Sequence, residues 1–499
     1  MLALTFALGL PLAAQAAVIN LNAGDDLQTV IDNATSGDTI RLTGDYSYNP
    51  PASNTLIDGK NIRFDLNGFN LSISGTSALI VKNGSVVDYI DAPGTGSFTV
   101  VTDGNAALYV EGVGSSCTVT GAQAIGSPMN IVIAVNPVMG GTAIVNGNVT
   151  SSGKAYTINA HGGGTAIVNG NINAAGADAF GVVVGATVPP SPGTVTVNGS
   201  ITSAGYGVRA GSGSTVTING NITAVRYGVN ATEAGTTVTV NGAITAPTYV
   251  QLNGVDKTAA EVTTPTTKAG YNTYDDATPT TVWVLAAPVI TTPTGALATG
   301  TQGTAYSTTL TAINNPTSWT VTGGSLPPGL ALGDDGKITG TPTTAGDYSF
   351  SVTASNTAGD STAVAYTLKV GAVPAITTPA GALPVGTQGT AYSTTLTATN
   401  NPTSWTVTGG SLPPGLTLGN DGKITGTPTT VGDYSFSAKA TNAFGDSTTV
   451  AYTLKIGDPG SNPFGGGGNA TPVPTLNEWA LMLLGLAMLG MAGLHARRR

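Results

Sequence analysis

His161 is the side chain best placed by type to move a proton, because an imidazole titrates near neutrality; it stands in His161-Gly162-Gly163-Gly164. Cleaving a glycosidic bond takes a pair of carboxylates facing the scissile oxygen. Elimination across a uronate takes a base beside a neutralised carboxylate. Between Asp103 and Glu233 the charged or imidazole groups are Glu111, Lys154, His161, Asp178, Arg209 and Arg226. His161, Asp178 and Arg209 are therefore the candidate catalytic residues, with Asp178 meeting His161 or Arg209 if the fold brings them side by side. A lone His in a Gly-rich turn is more often simply solvated, so the same residues also fit a protein without catalysis.

Other chemistry is scarce. The one cysteine, Cys117, lies in the strand-like Ser116-Cys117-Thr118-Val119-Thr120 and has no partner for an internal disulfide. A small buried hydrophobe explains it better than a catalytic thiol does. Charged residues are 9% of the 499, the net charge is −9 and the pI about 4.6. That balance excludes nucleic acid as a partner, since there is no basic patch to displace counterions. Seventy glycines and few charges are the composition of strands and tight turns.

The elements that would position these groups repeat. Gly141-Thr142-Ala143-Ile144-Val145-Asn146-Gly147-Asn148-Val149 recurs at 164–172, 193–201, 214–222 and 236–244. The Asn of each Asn-Gly falls at Asn146, Asn169, Asn198, Asn219 and Asn241. The long step contains Val188-Pro189-Pro190-Ser191-Pro192, which reads as a loop bulging from one coil. Tyr156, Phe180, Tyr206, Tyr227 and Tyr249 keep time with the Asn-Gly pairs. A unit of this length buries its apolar side chains only by stacking on its neighbours, which makes a solenoid. Asp25-Asp26 is positioned to cap a short helix with Leu27, Val30, Ile31 and Ala34 on one face, covering the open end of the first coil. In such coils each Asn would sit at a turn, satisfying backbone groups and accommodating positive φ, and the stacked Asn side chains would form a ladder. The aromatic set would either pack or form a platform for sugar rings, with packing favoured.

The repeats, the entrance helix and Ile57-Asp58-Gly59-Lys60-Asn61-Ile62-Arg63-Phe64-Asp65-Leu66-Asn67-Gly68 resemble the right-handed parallel β-helix of the pectin-lyase-like superfamily. The resemblance implies the fold over about 17–285. It also implies, by analogy with members that cut acidic polysaccharides, an enzyme as the alternative reading.

From Ala286 the pattern changes. Ile290-Thr291-Thr292-Pro293 to Val370 returns almost word for word as Ile376-Thr377-Thr378-Pro379 to Ile456, with Trp319 matched by Trp405. Short runs alternate apolar and Thr/Ser positions between turn signals, the mark of β-sandwiches with Trp319 and Trp405 as core anchors. Ser325-Leu326-Pro327-Pro328-Gly329-Leu330, Gly336-Lys337-Ile338-Thr339-Gly340-Thr341-Pro342 and Gly346-Asp347-Tyr348 resemble the Putative Ig and dystroglycan-type, cadherin-like repeats of bacterial surface proteins. Some relatives hold calcium between domains, which draws attention to Asp334, Asp335, Asp347, Asp360, Asp421, Asp433 and Asp446. A calcium ion wants six to eight oxygens, whereas Asp335-Gly336 and Asp421-Gly422 read as hairpin turns and Asn420 replaces Asp334 in the second copy. The expectation is no cofactor and no metal, with calcium the exception to test.

The C-terminal 27 residues read as a sorting address. Val473-Pro474-Thr475-Leu476-Asn477-Glu478-Trp479-Ala480 precedes an uncharged stretch to Leu494 and then Arg497-Arg498-Arg499. The apolar run is shorter than the roughly 20 residues of a comfortable span, which suits a transient anchor, and terminal arginines hold the far end in the cytoplasm. This order resembles the IPTL-CTERM tail, a relative of the PEP-CTERM tails handled by exosortase-like sorting proteases of Gram-negative bacteria. The resemblance implies recognition of Val473, Pro474, Thr475 and Leu476, with Trp479 and Ala480 leading into the helix. At the other end, an apolar run and Ala14-Gln15-Ala16 fit the cleavage pattern of a signal peptide, with cleavage read at Ala14 and Ala16.

The expected architecture is all-β: signal peptide 1–16, right-handed parallel β-helix 17–285, Ig-like domains 286–371 and 372–457, a Gly/Pro-rich tether 458–472 and a transmembrane sorting helix within 473–499. The expected protein is exported, carries a transient inner-membrane anchor, and reaches the cell surface or extracellular matrix. There it would act as a non-catalytic adhesin-like or polysaccharide-binding protein, with extracellular polysaccharide or a host or neighbouring cell surface as partner. The alternative is a surface-tethered polysaccharide lyase or glycoside hydrolase using the β-helix groove.

Overall fold

Short alternating strands with Gly at the corners build what their repeat demands. The computed structural model describes residues 16–460, apart from 51–53, 127–130, 186–190, 264–265 and 276–278. The chain divides into two compact units at Val370/Gly371. In the first unit, the segment from Val18 to Leu285 winds into a parallel β-solenoid of about nine turns among the described residues.

Every central turn lays one strand on each of three faces. Thr142–Val145 lies on the first face, Val149–Ser152 on the second and Ala155–Ala160 on the third; the next turn repeats them as Thr165–Val168, Ile172–Ala174 and Phe180–Val184. Neighbours are parallel and in register, with Thr142 beside Thr165, Thr194 beside Thr215, and Thr215 beside Thr237. The longer step between Asn169 and Asn198 does not disturb this, since Phe180 still pairs with Tyr206. Inward side chains stack as columns, of which Val145, Val168, Val197, Ile218 and Val240 are one, all fully buried. Such columns explain why a single coil has no stability of its own.

Both ends of the solenoid are closed. The helix Leu27–Asn33 is capped by Asp26, whose carboxylate accepts from the Thr29 amide at 2.9 Å, and it buries Leu27 and Ile31. Gln28 then completes the edge of the third face: its Nε2 donates to Leu56 O at 2.9 Å and its Oε1 accepts from Leu56 N at 2.8 Å. A side-chain amide thus replaces the missing strand partner and blunts an edge that would otherwise template association. Lys60 Nζ donates to the carbonyls of Ile31 and Asp32 at the helix C-terminus, 3.1 and 2.6 Å away. At the far end the pairing turns antiparallel, Val255–Lys257 against Thr248–Leu252 and Tyr271–Asp275 against Thr281–Leu285.

The Asn ladder forms, but without the positive φ expected of its asparagines. None of Asn146, Asn169, Asn198, Asn219 and Asn241, nor the Gly after each, has positive φ. The glycines are required by proximity: a Cβ on Gly170 would lie 2.4 Å from the Gly147 carbonyl, and one on Gly242 2.4 Å from Gly220 O.

The first sandwich completes the first unit. Tyr306–Thr309, Lys337–Gly340 and Leu330–Leu332 make one sheet; Ser318–Gly324, Gly346–Asn356 and Val364–Gly371 dominate the other. Trp319 lies in the core with Tyr306, Leu310, Ile338, Phe350 and Tyr366. Gly336, at φ +78°, ends the tight turn where an added Cβ would touch the Trp319 ring at 3.0 Å. Asn356 Nδ2 donates to Ala286 O at 2.9 Å and to Asn314 O at 2.8 Å, clasping the incoming chain.

The second unit repeats this design. Trp405 is buried with Tyr392, Leu396, Ile424, Phe436 and Tyr452, and Asn442 Nδ2 donates to Ala372 O at 2.9 Å and Asn400 O at 2.8 Å. Among the described residues no helix is long and apolar enough to cross a membrane.

Candidate functional site

Two rows of side chains, three residues apart on each strand, run along the third face of the solenoid, the second of them buried at Asn136, Asn159 and Val183. One row runs through Ile133, Tyr156, Phe180, Tyr206, Tyr227 and Thr248. The register places Tyr109, Asn136, Asn159, Val183, Arg209, Asn230 and Gln251 in the other.

In the first row the rings stack on one another. Phe180 and Tyr206 have centroids 4.4 Å apart and 9° between planes, Tyr206 and Tyr227 4.9 Å and 8°, while Tyr156 meets Phe180 edge-on at 5.2 Å. Ring faces that cover each other are not free to cover sugars, so the stack is packing, half-buried on the outside of the coil. The following Gly is explained by the core beneath: a Cβ on Gly207 would lie 2.4 Å from the Ile222 side chain. Tyr249 leaves the series. Thr248 takes its register position, and Tyr249 packs toward the core with its ring 5.8 Å from Tyr274.

The second row is rich in carboxamides. Asn159 Nδ2 donates to Asn136 Oδ1 at 3.5 Å, Asn230 Nδ2 to Gln251 Oε1 at 2.8 Å, and Gln251 Nε2 to Asp256 at 2.6 Å. Asn159 is only 6% exposed, yet its Oδ1 has no hydrogen-bond partner, and neither has Asn230 Oδ1. Buried carboxamide oxygens are ordinarily paired, so these two are exceptions, closed off from solvent as well as from donors of the protein. Where this row begins, a groove of about 350 Å³ is lined by Ser77, Ile80, Asn105, Tyr109, Ile133 and Asn136 among others. Part of the row was legible in the sequence, as the residue three beyond each of Tyr156, Phe180, Tyr206 and Tyr227.

The candidate catalytic residues are dispersed. His161 follows the strand Ala155–Ala160 at the corner leading to the first face, bridged to Val138. It is half-buried, and burial lowers its pKa below the ordinary imidazole value. Asp178 precedes Phe180–Val184 at the opposite corner, at φ +61°. A strand of that length separates the two corners by about 16 Å. The ion partner of Asp178 is Arg226, at 2.5 Å, rather than His161 or Arg209. Both groups are exposed, so this contact contributes little to stability. Arg209 stands in the second row between Val183 and Asn230. The geometry therefore assembles no acid–base pair from these three. Cys117 is fully buried on a first-face strand, where burial pushes the thiol pKa well up, as suits a packed hydrophobe.

Four of the seven sandwich aspartates are tied to local partners. Asp335 pairs with Lys337 at 2.6 Å, Asp421 with Lys423 at 3.1 Å and Asp446 with Lys439 at 2.5 Å. Asp360 accepts from Ser355 Oγ at 2.6 Å. Asp347 and Asp433 sit opposite Lys369 and Lys455 on neighbouring strands, and Asp334 lies exposed beside the Asp335 turn. Among the described residues no three His, Cys, Asp or Glu side chains gather as metal ligands would. Ala16 is exposed at the start of the described residues, whereas Ala14 and Val473, Pro474, Thr475, Leu476, Trp479 and Ala480 lie outside them.

These features define an all-β protein in which a parallel solenoid precedes two Ig-like repeats. Residues 287–371 and 374–457 each match the family model described as Putative Ig domain, and residues 471–499 match the IPTL-CTERM motif. No curated protein matches the chain. Among solved structures, extracellular domains 3–5 of Drosophila OTK are 12% identical, with a TM-score of 0.26, over 36% of this chain and 65% of that one. The Protocadherin GammaB4 extracellular domain is 14% identical, with a TM-score of 0.25, over 36% of each chain. An endo-fucoidan hydrolase from glycoside hydrolase family 107 is 19% identical, with a TM-score of 0.19, over 34% of each. The chain thus spans less than two thirds of each of these structures. Ig-like repeats together with a C-terminal sorting motif point to an exported cell-surface protein.

Proposed function

We propose that this is a non-catalytic cell-surface or exopolysaccharide-matrix protein whose solenoid binds glycan hydroxyls along its third face. The observation that carries the reading is the uncharged groove of about 350 Å³ on that face, lined by Ser77, Asn105, Tyr109 and Asn136 among others. Hydroxyl and carboxamide groups without a charge suit a polyol better than a polyanion. In this reading a signal peptide ending near Ala16 exports the chain. An exosortase-like enzyme then recognises Val473-Pro474-Thr475-Leu476, and the following helix is a transient inner-membrane anchor.

The test is to incubate the purified protein with a panel of bacterial and plant polysaccharides, scoring both bound protein and newly released chain ends. Binding without new ends, weakened by Asn105→Leu and Tyr109→Ala, is the expected result. New chain ends that disappear on His161→Ala or Asp178→Ala would make the protein a lyase or hydrolase instead. Retention of the full-length tail by a Pro474→Ala variant, against its removal in the parent chain, tests the sorting step separately.

A further inference from the structure

We propose that the first face of the solenoid is an ice-binding surface, a role independent of glycan binding on the third face. Six threonines, Thr142, Thr165, Thr194, Thr215, Thr237 and Thr281, stand side by side on consecutive parallel strands. Two residues further along each strand a second row runs Ile144, Ile167, Thr196, Thr217, Thr239 and Trp283. Three successive strands therefore carry Thr-Val-Thr with both hydroxyls outward, a two-dimensional lattice.

Its dimensions follow from the backbone. Parallel strands lie about 4.8 Å apart, and alternate residues of one strand are about 6.6 Å apart. These two repeats approximate those of the water oxygens on the prism face of hexagonal ice. The lattice is also rigid, because the residues between its points, Ala143, Ala166, Val195, Val216 and Val238, are buried in the solenoid core.

The chemistry of the face fits water held in order. Thr237 Oγ1 donates to Thr215 Oγ1 at 3.5 Å; among the described residues the other threonine hydroxyls of the two rows have no partner in the protein. They are left to hydrogen-bond water, while the methyl of each Thr and the side chains of Ile144 and Ile167 confine that water between them. No charged residue occurs in the strands Ser116–Val119, Thr142–Val145, Thr165–Val168, Thr194–Val197, Thr215–Ile218 or Thr237–Val240. A charge there would impose its own hydration shell on the lattice. The second face offers no such array, because Thr202, Thr223 and Thr245 form a single row on short strands.

The test is ice-affinity partition, in which slowly growing ice is analysed for incorporated protein, together with inhibition of ice recrystallisation. The unaltered chain is expected to enter the ice and restrain recrystallisation. Thr217→Tyr, at the middle of the lattice, should lose both, while Thr223→Tyr on the second face retains both. Folding of each variant is confirmed by its unfolding transition; should Thr217→Tyr not fold, Thr194→Lys at an exposed point of the lattice takes its place. Exclusion of the unaltered chain from ice, or undiminished incorporation of the first-face variant, would overturn the proposal. Neither outcome bears on polysaccharide binding, which is read separately.

Discussion

Asn219 donates its Nδ2 to Asn198 Oδ1 at 2.6 Å and accepts on its own Oδ1 from Asn241 Nδ2 at 2.6 Å. The same relation continues through Asn169 and Asn146 at 2.7 and 2.9 Å. Tyrosines close both ends: Tyr271 donates its hydroxyl to Asn241 Oδ1 at 2.5 Å, and Asn146 Nδ2 donates to Tyr89 at 3.0 Å. Every donor thus points from a later coil to an earlier one. The chain of amide dipoles is aligned, and hydrogen bonds arranged this way polarise each other favourably.

Removing a middle rung should weaken both neighbours. Asn219→Ala leaves Asn198 Oδ1 and Asn241 Nδ2 to water and is expected to cost about 1 kcal/mol, as a partly exposed hydrogen-bonded group does. Denaturant unfolding should show a smaller loss for Asn146→Ala at the end of the ladder. Equal losses at the two positions would show that the rungs act independently.

Close packing of the turns predicts a larger effect from a smaller change. A Cβ on Gly220 would lie 2.6 Å from the Gly199 backbone, which has no freedom to retreat. Gly220→Ala should destabilise the solenoid by about 3 kcal/mol, the upper part of the overpacking range. Gly254→Ala, with nothing within 4 Å but a φ of +88°, should cost about 1 kcal/mol through backbone strain alone. Thermal unfolding of the two variants side by side decides whether contact or φ governs.

The sandwiches should fail one at a time. Trp319 and Trp405, 5% and 4% exposed, each centre their own core. Trp405→Ala is expected to cost about 3–5 kcal/mol. Calorimetry should show the transition of the second sandwich shifted down and the first left in place, with Trp319→Ala giving the converse.

Two groups shifted by burial set opposite limits on pH. Burial lowers the His161 pKa from its ordinary 6.5, so the unfolded chain binds the extra proton more readily and stability is lost as pH falls below 6.5. Burial raises the Cys117 pKa from its ordinary 9.0, so the unfolded chain loses its proton first and stability falls as pH rises past 9.0. His161→Gln should flatten the acid side of a stability–pH curve and Cys117→Ala the alkaline side. The native thiol should resist alkylation at pH 8 until denaturant is added.

Much of the fold was legible before any coordinate. The Asn-Gly period announced the stacked coils, and Asp26 with Leu27 and Ile31 announced the entrance helix. Trp319 and Trp405, repeated with their flanking turns, announced two sandwich cores. The aromatic series was only partly legible. Its first four members do stack, but Tyr249 stands one residue out of register, a slip hidden in the sequence because Tyr249 follows Asn241 at the same distance as Tyr227 follows Asn219.

By itself the sequence determined the local and repetitive facts: which residues turn, which alternate, how often the unit returns, and which sorting motif stands near the C-terminus. These follow from chemistry within one coil. Only the tertiary structure decided what meets what between coils: that Asp178 reaches Arg226 rather than His161, that the Tyr206 and Tyr227 ring faces cover each other, and that Asn159 and Asn230 leave oxygens without donors. Such contacts join residues twenty or more positions apart, where a shift of one residue in register turns a side chain to the opposite face.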